Sequence, residues 1–242
     1  MLAIFKREMR SYFTTATGYI FLAVSLALFG AALGATTLLQ SSSDTSTYFI
    51  FKLVILIVIL PILTMKIFSE EKKTKTEQLL LTAPVSIPKM VLGKYLAAFC
   101  MYLIVILVSM VNYIPLYQYA VKDSINTMPP SFTMILGSTF ALVLVGMSFI
   151  AIGMFVSALT ENQFAAVVIT LGILIGLLCI SIFNSFISSA ALKTIFDFFS
   201  IYSRFGSFTY GRFDFGALLY YLSIAGVFVF LTMRAFEARR YR

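Results

Sequence analysis

Six stretches of about twenty residues, each almost free of charge, limit what this chain can fold into more than any other feature. The first, Gly18–Leu39, holds no charged residue in 22 positions. The others run from about Tyr48 to Phe68, Tyr95 to Tyr117, Phe132 to Leu159, Gln163 to Asn184 and Phe215 to Phe236. Each matches the ~20 residues that a helix needs to cross the hydrocarbon core. Only a helix or a closed barrel satisfies its backbone in lipid. With 60% hydrophobic and 12% charged residues, too little polar surface is left to cover a soluble domain of this size. The expected fold is all-α: a single six-span membrane domain over residues 1–242, with no soluble domain. MLAIFKREMRSYF does not read as a signal peptide, because charge falls within it and no short apolar core with a cleavage site follows.

Residues 2–16 read as a helix lying on the membrane. Leu2, Phe5, Met9, Tyr12 and Phe13 recur at helical spacing, opposite Lys6, Arg7, Arg10 and Thr14. Lys52 and Lys66 stand near the two ends of the second span, where long side chains snorkel to the interface, and Pro61 should kink it. Gly30 and Gly34 in the first span, and Gly172 and Gly176 in the fifth, form small-xxx-small patterns that favour close helix contacts, the fifth span at a dimer seam. The three-residue link Thr160–Asn162 makes the fourth and fifth spans an antiparallel hairpin. Residues 185–214 mix five charges with nine aromatics, which favours external interfacial or re-entrant helices. Six spans place both termini on one side. Putting them inside leaves 13 of the 18 Lys and Arg on the cytoplasmic face, as the positive-inside bias requires.

Chemistry is sparse. Without histidine the commonest general base and metal ligand is missing. No Walker loop occurs, no acidic or basic residue falls mid-span, and Glu70 and Glu71 are the only adjoining carboxylates. Cys100 and Cys179 read as packing residues. No catalytic residue and no metal site is expected, so the chain does not read as an enzyme. Its net charge of +8 follows topology and does not indicate a nucleic-acid partner.

The long polar interval Ser69–Tyr95 carries dense charge of both signs. Thr74-Lys-Thr-Glu77 has the form of a capping box ahead of Gln78-Leu79-Leu80-Leu81, and Pro84 ends that helix. Ser86 then caps the third span, with Pro88 in its first turn. Spacing alone leaves two readings open, a docking helix or an ordinary solvated loop helix. SEEKKTKTEQLLLTAPVS…GKYLA resembles the segment after the second span of ABC-2 type transporter permeases. REMRSYFTTATGYIFLAV is similar to the N-terminal part of the gliding-motility and nitrous-oxide-reductase-accessory permeases of that family. IAIGMFVSALTENQFAAVVITLG resembles their fourth-to-fifth-span hairpin, and IYSRF…FEARR their last external segment and sixth span.

The resemblance implies a dimerising permease, with an identical or homologous second copy, seated on separately encoded ATP-binding subunits. ATP and magnesium would be bound by that partner and no cofactor by this chain. It implies that Glu70, Glu71, Lys72, Thr76, Gln78, Leu79, Leu80 and Pro84 form the contact with the ATPase, Leu79 and Leu80 transmitting force while the charges orient the loop. The family usually carries glycine where Lys75 stands. The expected location is the bacterial cytoplasmic (inner) cell membrane, with both termini inside, and the expected action is outward transport of an unidentified substrate. Two rivals are a secondary transporter or channel for an uncharged substrate, and a non-transporting membrane anchor for an ATPase.

Overall fold

The computed structural model describes residues 1–38, 45–75, 86–115, 132–184, 200–209 and 211–240. Among these residues every regular element is helical: α1 (Leu2–Thr14), α2 (Ala16–Leu33), α3 (Thr45–Thr64), α4 (Lys66–Lys73), α5 (Ile87–Val108), α6 (Phe132–Leu159), α7 (Gln163–Asn184), α8 (Ile201–Thr209) and α9 (Phe215–Arg240). Six stretches are long and apolar enough to cross a membrane: Ala16–Thr36, Ser46–Lys73, Ile87–Pro115, Phe132–Leu159, Gln163–Ser181 and Phe215–Arg240. The fourth span and the helix of the fifth keep the expected bounds. The second and third extend several residues further at the end that carries α1, α4 and the end of α9, here called the basal end.

The bundle is built around α6, which packs against α3, α4, α5, α7, α8 and α9. Its composition explains why. Gly137, Ser138, Ala141, Gly146, Ala151, Gly153, Ser157 and Ala158 are small, and small residues let helix backbones approach where no water drives association. A Cβ at Gly146 would collide with the Tyr102 ring, and one at Gly153 with the Thr64 side chain. Side-chain hydroxyls then find backbone carbonyls of neighbouring helices. Tyr102 donates to Leu142 O (2.6 Å), Tyr95 to Met147 O (3.0 Å), Ser148 to Tyr221 O (3.0 Å) and Tyr221 to Ile201 O (2.9 Å).

Gly30, Gly34, Gly172 and Gly176 behave differently: a Cβ at any of them meets nothing within 4 Å. The close contacts expected of these pairs are therefore not made among the described residues. The spacing marks a smooth strip, but the strip's direction depends on the rest of the helix, and on α7 the buried Leu174 faces inward while Gly172 and Gly176 face out.

Two expectations about lysines are corrected. Lys52 does not snorkel; it is completely buried. Its nitrogen donates to Ser109 Oγ (3.0 Å) and Tyr113 OH (3.3 Å) and lies about 5 Å from the rings of Phe29, Tyr48 and Tyr113. Lys94 is also buried, so charges do lie within spans. Both were misplaced for one reason: neighbouring helices offer hydroxyls, carbonyls and rings nearer than the interface does. Of the interfacial or re-entrant helices expected over residues 185–214, the described residues include α8, which packs against α6 with Phe205 and Phe208 buried and the Phe208 carbonyl over Gly137; residues 185–199 lie outside the described residues.

Candidate functional site

The basal end gathers a buried cation and its carboxylates around Gly93-Lys94-Tyr95 on α5. Gly93 leaves room for α1 to cross closely, with Ile4 Cγ2 and Met1 O each 3.3 Å from where a Cβ would stand. Lys94 lies eight residues past Ser86, which the helical rise places about 12 Å along α5. Its ammonium donates to Glu71 Oε1 at 2.7 Å and to Ile67 O at 2.9 Å, and stands 3.3 Å from Glu8 Oε1. The Phe68 ring lies 5.1 Å away. Arg7 approaches Glu71 from solvent at 3.6 Å. One cation thus ties α1, α4 and α5 together. A charge this buried is tolerated only when paired and hydrogen-bonded.

The α3–α4 boundary is a bend with an identifiable cause. Pro61 has no N–H to offer Ile57. One turn on, the Ser157 hydroxyl enters the helix ladder, accepting from Phe68 N and Ser69 N (3.2 Å each) and donating to Met65 O (2.9 Å). A side chain inserted into the backbone ladder is a standard source of kinks. It fixes α4 to α6. Lys72 Nζ and an Arg239 guanidinium nitrogen donate to Leu159 O (3.2 Å) and Ala158 O (2.7 Å), covering carbonyls left open at the end of α6. Phe236 of α9 packs on Phe68 with ring centroids 4.6 Å apart.

The expected contact residues divide accordingly. Glu70 is exposed, Glu71 turns inward onto Lys94, and Lys72 reaches α6. Thr76, Gln78, Leu79, Leu80 and Pro84 lie outside the described residues, as does Glu77. The Thr74 hydroxyl donates backward to Glu70 O (2.9 Å) at the end of α4, and the rest of the expected capping box, up to Glu77, lies outside the described residues. Ser86 is the N-cap residue of α5, with extended backbone and Pro88 in the first turn, but makes no side-chain capping bond. Lys75 has φ 58°, the only positive φ of a non-glycine described residue, and its N–H returns to Lys72 O at 3.0 Å. This left-handed turn after a helix is where glycine is favoured, and it is the position where the family resemblance departs. Lys75→Gly is accordingly expected to stabilise the protein by on the order of 1 kcal/mol, read as a rise of a few degrees in the thermal midpoint.

Lys94, Glu8 and Ser157 were not singled out from sequence. Lys94 and Glu8 had one legible signal, a lysine two turns inside an apolar run and an acid on the apolar side of an N-terminal helix. Ser157 had none, since a serine on a buried helix reads as a small packing residue.

A family model described as ABC-2 family transporter protein matches residues 33–234. No curated protein matches the chain.

Proposed function

The chain belongs to the ABC-2 family of transporter proteins, and from that premise we propose that the basal junction is where it receives work from a separate ATP-binding subunit. In this reading the basal end is cytoplasmic, and residues 76–85 form the coupling segment that the partner's groove holds. The observation that carries it is the way both ends of that segment are anchored. α4 delivers residue 75 and α5 receives residue 86, and Lys94 bonds α4 through both Glu71 and Ile67 O. A push on the segment then reaches α3, α5, α6 and α1 together. Chemistry stays with the partner, which binds ATP and magnesium. This chain converts nucleotide-driven closure into helix movement, and that requires contacts that differ between two conformations. Two permease copies sit on two ATPases and export a substrate by alternating access. The outward-facing glycines of α7 support a seam between the copies there.

The test is cysteine crosslinking. Cys100 and Cys179, both half-buried, are replaced by alanine, and single cysteines are placed at Thr76, Gln78 and Leu80. Each is expected to capture a co-expressed ATP-binding subunit. Capture from cysteines at Ser200 or Arg212 instead would invert the topology and end this reading.

A further inference from the structure

Where the α3–α4 bend and the α1–α2 turn diverge, a groove of about 260 Å³ opens on the side of the bundle. Ile20 and Val24 of α2 form one wall, and Ile59, Ile62 and Leu63 of α3 the other. The walls are formed by residues of α2 and α3, two of the helices long and apolar enough to cross a membrane, so the groove runs between two spans. From Thr17 to Val24 it reaches about 10 Å inward from the basal interface. Ile20, Val24 and Ile62 are each between 43% and 58% exposed, so these three present apolar surface outward, while Phe21, Ile59 and Leu63 belong to the buried core beneath them.

The mouth differs in character. Lys66, the first residue of α4, lines it together with Thr17 and Tyr12. No carboxylate among the described residues lies within ion-pair distance of Lys66, because Glu8 and Glu71 are both turned onto Lys94. Burial, reinforced by the charge of Glu8, pushes the Tyr12 phenol above its ordinary value, so it stays a neutral hydroxyl that does not repel an anion. Gly18 keeps this corner tight, since a Cβ there would run into the Tyr12 carbonyl. An apolar slot between two spans, with a cation and hydroxyls only at its interfacial end, has the complementarity of a chain-bearing anion.

We propose that this groove binds one acyl chain of an anionic phospholipid from the basal leaflet, its phosphate seated on Lys66. Met65 lines the same groove, so the lipid stands against the bend that Ser157 holds. Occupancy therefore stabilises the bent arrangement.

The test uses the full-length protein purified in a neutral detergent, with native mass spectrometry counting retained lipid. Phosphatidylglycerol and phosphatidylcholine of identical chains are offered in turn. The wild type is expected to retain phosphatidylglycerol preferentially and to gain thermal stability from it. Lys66→Gln should lower that preference about fivefold, the scale of one lysine near an anionic headgroup, while Lys66→Arg keeps it. Lys6→Gln removes an exposed charge of α1 that does not line the groove, and should change little. Ile20→Trp, at an exposed wall position, fills the slot and should abolish retention without lowering the lipid-free thermal midpoint. Equal retention of the two lipids by the wild type overturns the proposal. So does an equal effect of Lys66→Gln and Lys6→Gln, which would mean diffuse surface attraction.

Discussion

Lys94→Met is expected to lower stability by about 3–5 kcal/mol, the scale of breaking a buried ion pair from one side. The substitution keeps most of the aliphatic volume and removes only the ammonium. Glu71 and Glu8, whose side chains are 13% and 18% exposed, then face each other without the cation between them. The Ile67 carbonyl loses its side-chain donor as well. Like charges in a partly dry site and an abandoned acceptor act in the same direction. Thermal unfolding of the purified protein should show a fall on the order of 10 °C. Wholesale replacement is another matter, because a buried pair exchanged for neutral groups of similar size is often close to neutral. Lys94→Met/Glu71→Gln should therefore recover at least half of the loss, leaving Glu8 to hydrate at the edge. If the double variant unfolds as early as the single one, the loss comes from the ammonium's contacts with Ile67 O and Glu8, and its pair with Glu71 is incidental.

Gly146→Ala should be among the most damaging methyls that can be added to this bundle. The new Cβ would stand 2.6 Å from the Tyr102 hydroxyl oxygen and closer still to the ring. Tyr102 is wholly buried, and its hydroxyl is tethered to Leu142 O at 2.6 Å. Neither helix has slack to retreat, so a cost at or above the ~1–3 kcal/mol usual for overpacking is expected. Gly172→Ala is the control. It sits on an open face, where alanine gains up to ~1 kcal/mol of helix propensity. The two substitutions should move the thermal midpoint in opposite directions in monomeric detergent preparations. A loss at Gly172 that appears only in dimeric preparations would mean that a second copy covers that face. A neutral Gly146→Ala would show that α5 and α6 are looser than their spacing implies.

The bundle was legible in the sequence because a bilayer leaves few choices. An uncharged run of twenty residues must become a helix, and both the fourth span and α7 came out between the expected residues. What each helix turns toward its neighbours was much less legible. Gly30-Ala-Ala-Leu-Gly34 and Gly172-Ile-Leu-Ile-Gly176 carried the pattern associated with contact, yet the close approaches fall at Gly137, Gly146 and Gly153, which follow no four-residue spacing. Polar side chains were misjudged for a related reason. Near the end of an apolar run, length permits a lysine to reach water. Only tertiary structure shows that Glu71 is nearer to Lys94, or Ser109 to Lys52. The bend after Pro61 was foreseen, but the hydroxyl that fixes it comes from ninety residues further along the chain.

Lys52 has an electrical consequence. Its nitrogen lies inside the second span, with hydroxyls and rings around it and, among the described residues, no carboxylate to cancel its charge. A charge in that position lies within the voltage drop of an energised membrane. Moving one elementary charge through the whole of a 100 mV potential involves about 2.3 kcal/mol. A shift of Lys52 over a tenth of that depth involves roughly a tenth of it, ~0.2 kcal/mol. While Lys52 is protonated, then, membrane voltage acts on α3 near the end opposite α4, a second input beside the mechanical one proposed above for the basal junction.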